Sequence, residues 1–288
     1  MTTLQPLEVG IFAKTFTRPT LEAVLDTAKA AGFRALHFNF ACAGLSPLPD
    51  ALDEAMCRSI REGFERRDLV MVGVSATYNT IHPDPERRAA ETARARRIIE
   101  LCPLLGTELA TLCSGTRDPD DMWRAHPAND GSEAWEDLLA TLELLLQSAE
   151  SVSVALGIEP ETANVVSSAV RGRALLDAVG SERLRIVLDP ANLVTPGTAD
   201  RQEEILSEAF ELLAPSIVQV HAKDVAEAGH GAAGTGLLDY DLYFRLLRRY
   251  NVTVPVILHE LAEDDVTRAR AFVLGHRDAS GLDAHPGG

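Results

Sequence analysis

Ionisable side chains recur at four points where a short apolar run gives way to a loop: Gly157-Ile158-Glu159-Pro160-Glu161, Val187-Leu188-Asp189-Pro190-Ala191-Asn192, Val220-His221-Ala222-Lys223-Asp224 and Leu258-His259-Glu260. A carboxylate withdrawn from water needs a cation or several donors to stay charged. One shared divalent ion would satisfy all of these groups together. Glu159, Asp189, His221 and a group from the last run form an oxygen-rich set with one imidazole. Such a set suits Mn2+ first, with Mg2+, Co2+ and Zn2+ as other occupants. A single acid at such a position is more often a helix cap or an ion-pair partner. Its repetition at the same point of successive runs is what points to a common ion.

The elements that must carry these residues follow from periodicity. Apolar runs suited to buried strands fall at 7–13, 35–40, 69–76, 108–114, 153–159, 184–189, 217–221 and 254–260. Helical periodicity occupies 20–31, 49–67, 85–105, 132–149, 167–179, 200–213, 239–250 and 263–274 between and after them. Eight β-then-α units with no change of composition predict an α/β fold, a single (β/α)8 TIM barrel over 1–276, with a short polar, flexible C-terminal tail at 277–288. In that architecture chemistry gathers at the carboxyl ends of the strands, where the four charged runs end. A doubly wound sheet would carry a glycine-rich phosphate turn after its first strand, and Gly10-Ile11-Phe12-Ala13 is no such turn. Thr20 after Pro19 and the Ser132 hydroxyl are placed to cap helix starts, and Gly32, Gly106 and Gly180 to end helices.

Composition narrows the partners. The chain of 288 residues is 46% hydrophobic and 24% charged, enough to bury a large core. A formal net charge of -16 repels phosphate backbones and anionic lipid surfaces, which argues against nucleic-acid and membrane partners. Cys42, Cys57, Cys102 and Cys113 lie too far apart for a zinc knuckle or a disulfide framework and read as buried thiols in a reducing compartment. The N-terminus has no basic stretch leading into an apolar one, and no apolar run approaches the ~18 residues of a membrane span. A cytoplasmic protein is expected.

The motifs Glu159-Pro160-Glu161-x-x-Asn164, Asp189-Pro190-Ala191-Asn192, His221-Ala222-Lys223-Asp224 and Gly234-x-Gly236-x-x-Asp239-Tyr240, in this order, resemble the sugar-phosphate isomerase/epimerase family of xylose-isomerase-like barrels. The resemblance spans nearly the whole chain. It implies metal ligands at Glu159, Asp189 and His221, and a fourth, usually a glutamate, near the end of the eighth strand. Successive strand residues face opposite sides, so His259 and Glu260 cannot both point inward from a regular strand. Glu260 is the preferred ligand, and His259 the alternative or a substrate contact. Relatives place substrate-contacting residues after the third strand, where Tyr78-Asn79-Thr80-Ile81-His82-Pro83 stands. His82 would then bind a hydroxyl or shuttle a proton, unless it is a solvated loop histidine. Asn192 and Lys223 join the substrate set, Lys223 either binding a substrate oxygen or orienting Asp224. Trp123 and Trp135 follow the fourth strand, and helix packing accounts better for Trp135; neither is assigned to the site.

The resemblance implies a sugar or keto-sugar isomerase or epimerase. Proton abstraction beside a carbonyl leads to a metal-stabilised enediolate. Glu159 and Glu260 would remove and return the proton, with Lys223 or His82 as an acid. A metal-dependent dehydratase or lyase on a keto-inositol or keto-sugar is the alternative. An apurinic endonuclease, also among the relatives, fits poorly with 27 basic against 43 acidic residues. A non-catalytic sugar-binding barrel would carry the same rim. No arginine pair or strong phosphate cradle marks the substrate as phosphorylated, and relatives of this kind associate through barrel helices, so a homodimer is expected.

Overall fold

The computed structural model describes residues 4–280. Eight parallel strands close into a ring: β1 (Val9–Phe12), β2 (Ala35–Phe38), β3 (Val70–Ser75), β4 (Leu109–Cys113), β5 (Ala155–Glu159), β6 (Leu184–Leu188), β7 (Ile217–Val225) and β9 (Val256–Leu258). Each pairs with the next, β7 pairs with β9, and β9 returns to β1. A short arm, β8 (His230–Ala232), lies antiparallel on the end of β7. Nearly every strand residue is buried, as expected where helices cover the outside and side chains fill the inside of a barrel.

The covering helices are α1 (Leu21–Ala30), α2 (Glu54–Glu65), α3 (Pro85–Leu105), α4 (Ser132–Val152), α5 (Ala169–Val179), the single turn α6 (Pro190–Leu193), α7 (Gln202–Leu213), α8 (Tyr240–Arg249) and α9 (Val266–Ala279). Thr20 accepts from the Ala23 amide at the start of α1, and Gly106 and Gly180 end α3 and α5 at φ 81° and 64°. Ser132 does not cap as expected: it is already the first residue of α4, Gly131 precedes it, and no side chain caps that end. The strands match the expected spans with two instructive differences. β7 continues past His221 to Val225 because β8 supplies a second partner, and β9 stops at Leu258 instead of 260. The last helix runs through Ala279, past the expected start of the tail at 277, and 281–288 lie outside the described residues.

All four cysteines are buried and free, in keeping with their reading as packed thiols. Burial raises the pKa of all four thiols, Cys102 well above the ordinary thiol value and Cys113 to about 12, so none is a ready nucleophile. Among the described residues no helix is long and apolar enough to cross a membrane.

Candidate active site

Alternation along β7 sends Gln219, His221 and Lys223 to one side, into the barrel mouth. The strand is pinned from behind: the Tyr243 hydroxyl donates to the His221 carbonyl (3.1 Å) and that of Tyr240 to the Lys223 carbonyl (2.9 Å). In front, His221 Nδ1 stands 3.2 Å from Glu159 Oε1 at the end of β5 and 3.4 Å from Asp189 Oδ2 just past β6. The three residues expected to share an ion therefore converge.

A buried chain of polar groups fixes the His221 ring. Its Nε2 lies 3.3 Å from Gln219 Oε1, which is also 2.9 Å from His37 Nδ1, while His37 Nε2 meets the Thr111 hydroxyl at 3.1 Å. An amide oxygen only accepts, so both rings donate to it and Nδ1 of His221 is the nitrogen turned to the carboxylates. Burial, reinforced by the charge on His221, lowers His37 to about 3 and keeps it neutral. For His221 burial again opposes the charge, but Glu159 and Asp189 outweigh it and raise the ring to about 9.

Asp189 is the N-cap of α6, its Oδ1 accepting from the Ala191 amide at 2.9 Å. Its Oδ2 is fully buried without a hydrogen-bond partner, although His221 Nδ1 and Lys223 Nζ each stand 3.4 Å away. Burial would raise this carboxyl, yet Lys223 and His221 hold it well below the carboxylate range. Lys223 is itself buried, a cost overcome by Asp189 and Glu159, which raise it to about 12. Asn192 donates to Glu159 Oε1 at 2.7 Å, so it orients this carboxylate where a direct substrate contact was expected; its own Oδ1 is buried and unpartnered.

On the last strand the two candidate ligands part. His259 turns inward: its ring lies 5.1 Å from that of His221 and 4.7 Å from that of Phe12, and its buried Nδ1 has no partner. Donor atoms of Asp189, His221 and His259 all fall within 4.8 Å of one another. Glu260, with φ 49°, swings to the rim, 2.9 Å from His230 Nδ1 and 3.6 Å from Lys223 Nζ. Strand alternation does not govern this pair because β9 has already ended. An orphaned oxygen on Asp189 and an orphaned nitrogen on His259, on two residues whose ligand atoms come within 4.8 Å of each other, fit a divalent cation.

His82 does not reach this cluster in the expected role. Its Nδ1 accepts from the Asp84 amide (3.1 Å) and its Nε2 donates to the Pro119 carbonyl (3.0 Å), so both nitrogens are spent on joining the loops after β3 and β4. Neighbouring Asn79 does the same, exchanging bonds with Thr116. Asp224 likewise has a structural task. Its carboxylate accepts from the amides of Val225, Gly234, Thr235 and Leu238, so the glycine motif cradles an anion belonging to the chain itself. Gly236 is required there, since a Cβ would lie 2.2 Å from the Val225 carbonyl oxygen. Trp135 packs in α4 with the Arg171 guanidinium 4.9 Å above its ring, and Trp123 is 55% exposed.

Three participants escaped the sequence reading. Gln219 could have been found from its i, i+2, i+4 spacing with His221 and Lys223. His37 and His230 carried no such signal. His230 comes in on β8, its Nε2 donating to the Ala191 carbonyl at 3.1 Å. With acceptors on both nitrogens the ring carries two protons, and the Glu260 contact raises its basicity and lowers that of Glu260.

A family model described as xylose isomerase-like TIM barrel matches residues 25–275. The chain belongs to that family. No curated protein matches it in sequence. Solved structures of this fold include a 3-keto-D-glucoside 4-epimerase from E. coli, 16% identical with a TM-score of 0.74, covering 94% of this chain and 99% of its own. An L-ribulose 3-epimerase is 17% identical with a TM-score of 0.74, over 99% and 100%. A D-psicose 3-epimerase is 16% identical with a TM-score of 0.67, over 96% of each chain. At such identities the likeness to these structures is one of fold.

Proposed function

We propose that the chain is a divalent-metal-dependent epimerase of a keto-sugar, moving a proton at the carbon beside a carbonyl. The convergence of Glu159, Asp189 and His221 in one buried mouth carries this reading, supported by family membership and by epimerases among the solved neighbours. Glu159, Asp189 and His221 would hold the ion, which when bound polarises the substrate carbonyl and lowers the cost of the enediolate.

The chain's own groups supply the rest. Glu159, held by Asn192, takes the proton from carbon. Glu260 reaches the mouth from β9, separated from β5 by β6 and β7 in the ring, and so approaches the substrate from another side. A proton passed from His230 through Glu260 to that side inverts the carbon, while Glu159 keeps the one it took. The ammonium of Lys223, buried between Asp189 and Glu260, stabilises negative charge as it develops on the substrate oxygen.

The test is a panel of ketoses and keto-glycosides in D2O with protein reconstituted with Mn2+, Co2+ or Zn2+. Solvent deuterium entering the carbon beside the carbonyl, with inversion and no loss of water, is the expected result. Loss of water without epimer, or no exchange with any sugar, overturns the reading.

A further inference from the structure

We infer that His259, and not a carboxylate, is the fourth protein ligand of the ion, giving a centre of two imidazoles and two carboxylates tuned toward zinc- and cobalt-type ions. This rests on the reading of the site as a metal centre and deepens it.

Backbone geometry at the end of β9 decides which side chain faces inward. Leu258 is the last residue in register, and the His259 amide still donates to the Ala222 carbonyl at 3.3 Å. Glu260 then takes φ 49°, a left-handed conformation that a non-glycine residue adopts only at a cost of ~1 kcal/mol or more. That turn leaves the imidazole over the mouth and carries the carboxylate to its rim, beside Lys223 and His230. The His259 ring packs 4.7 Å from that of Phe12, which in turn lies 4.1 Å from the ring of His37, so aromatic contacts hold it over the mouth.

Glu260 is held apart from the cluster by a positive charge. Lys223 Nζ stands between it and Asp189, 3.6 Å from one and 3.4 Å from the other, and His230 takes the same Glu260 oxygen at 2.9 Å. For Glu260 to share a cation with Asp189, this buried ammonium would have to move aside. No such obstacle separates His259 from Asp189 and His221, whose donors already lie within 4.8 Å of it. The unpartnered Nδ1 of His259 is then accounted for, since a sealed ring nitrogen without a partner is costly.

The choice of ligand alters the metal. A second neutral nitrogen in place of a carboxylate removes one negative charge and replaces a hard donor with a borderline one, which weakens Mn2+ and Mg2+ more than Zn2+ or Co2+. Every nitrogen-oxygen site favours Zn2+ over Mn2+ to some degree, so the change on substitution is diagnostic, not the preference itself.

The experiment uses the full chain, stripped of metal and titrated with Zn2+ and Mn2+. Pulsed EPR of the Cu2+-loaded protein counts the coordinated imidazoles. Wild type should show two, and His259→Gln one, with Zn2+ affinity lowered ~10-fold or more. His259→Glu should bind both ions but shift the Zn2+ to Mn2+ ratio toward Mn2+ by at least ~10-fold. Glu260→Gln should keep two imidazoles and nearly unchanged affinity. One imidazole in wild type, or an affinity that falls in Glu260→Gln while His259→Gln is unaffected, overturns the assignment and leaves the metal reading standing. No binding of any ion by folded wild type removes the metal reading itself, and this assignment with it.

Discussion

The two ends of the barrel differ in what they do with space. At the amino ends of the strands an open cavity of about 1150 Å3 is walled by Phe64, Leu69, Met71, Leu105 and Val154, among others. Its ionisable walls stay at the surface, where Arg61 Nε and Glu65 Oε1 pair at 2.7 Å. At the carboxyl ends Glu159, Asp189, His221, Lys223 and His259 crowd together, with Asp189 Oδ2 and His259 Nδ1 buried and unpartnered. The contrast teaches that convergence of costly groups, more than volume, marks a site: apolar walls lower the free energy of folding, whereas each buried charge raises it unless something binds there.

If that contrast holds, perturbing the two ends should separate activity from stability. The largest effect is expected for Glu159→Gln, which keeps the shape and the Asn192 contact but removes the base. Epimerase turnover should fall by about 100- to 10,000-fold while the melting temperature stays close to wild type, as read by kinetics and calorimetry on one preparation. Retention of turnover would erase the distinction. At the other end, Phe64→Ala empties a side chain that is 2% exposed. It should cost about 3–5 kcal/mol in denaturant unfolding while turnover per folded molecule is kept. A loss of turnover there would mean that the ends are coupled.

The smallest effect sharpens the boundary between the two zones, at His37. Folded His37 stays neutral down to about pH 3, whereas in the unfolded chain its pKa returns to the ordinary value of 6.5. Below that ordinary value the unfolded state takes up a proton the folded state refuses. Stability is therefore untouched by this ring above pH 6.5 and falls as pH drops from 6.5 toward 3. His37→Gln should flatten that decline, by up to about 1.4 kcal/mol per pH unit, in urea unfolding between pH 6 and 4. Equal slopes for variant and wild type would contradict a buried neutral ring.

Much of this was legible in the chain itself. Strand runs such as Leu109–Cys113 and helix signals such as Gly106 are local, set by side-chain period and by a glycine at positive φ, so they can be read without knowing what they pack against. The recurrence of Glu159, Asp189 and His221 at strand ends was legible for the same reason, because parallel strands of a barrel place equivalent positions at one rim. What tertiary structure alone decided were the exceptions to that periodicity. The arm β8 lengthens β7 and delivers His230, a pairing between segments with no local signature. The left-handed turn at Glu260 ends the alternation that would have turned its carboxylate inward and leaves His259 facing Asp189. His82 is consumed by Asp84 and Pro119, the second of them distant in sequence. Period fixes which residues arrive at the rim, and the competition among neighbours there, for space, charge and hydrogen bonds, decides which of them face the site.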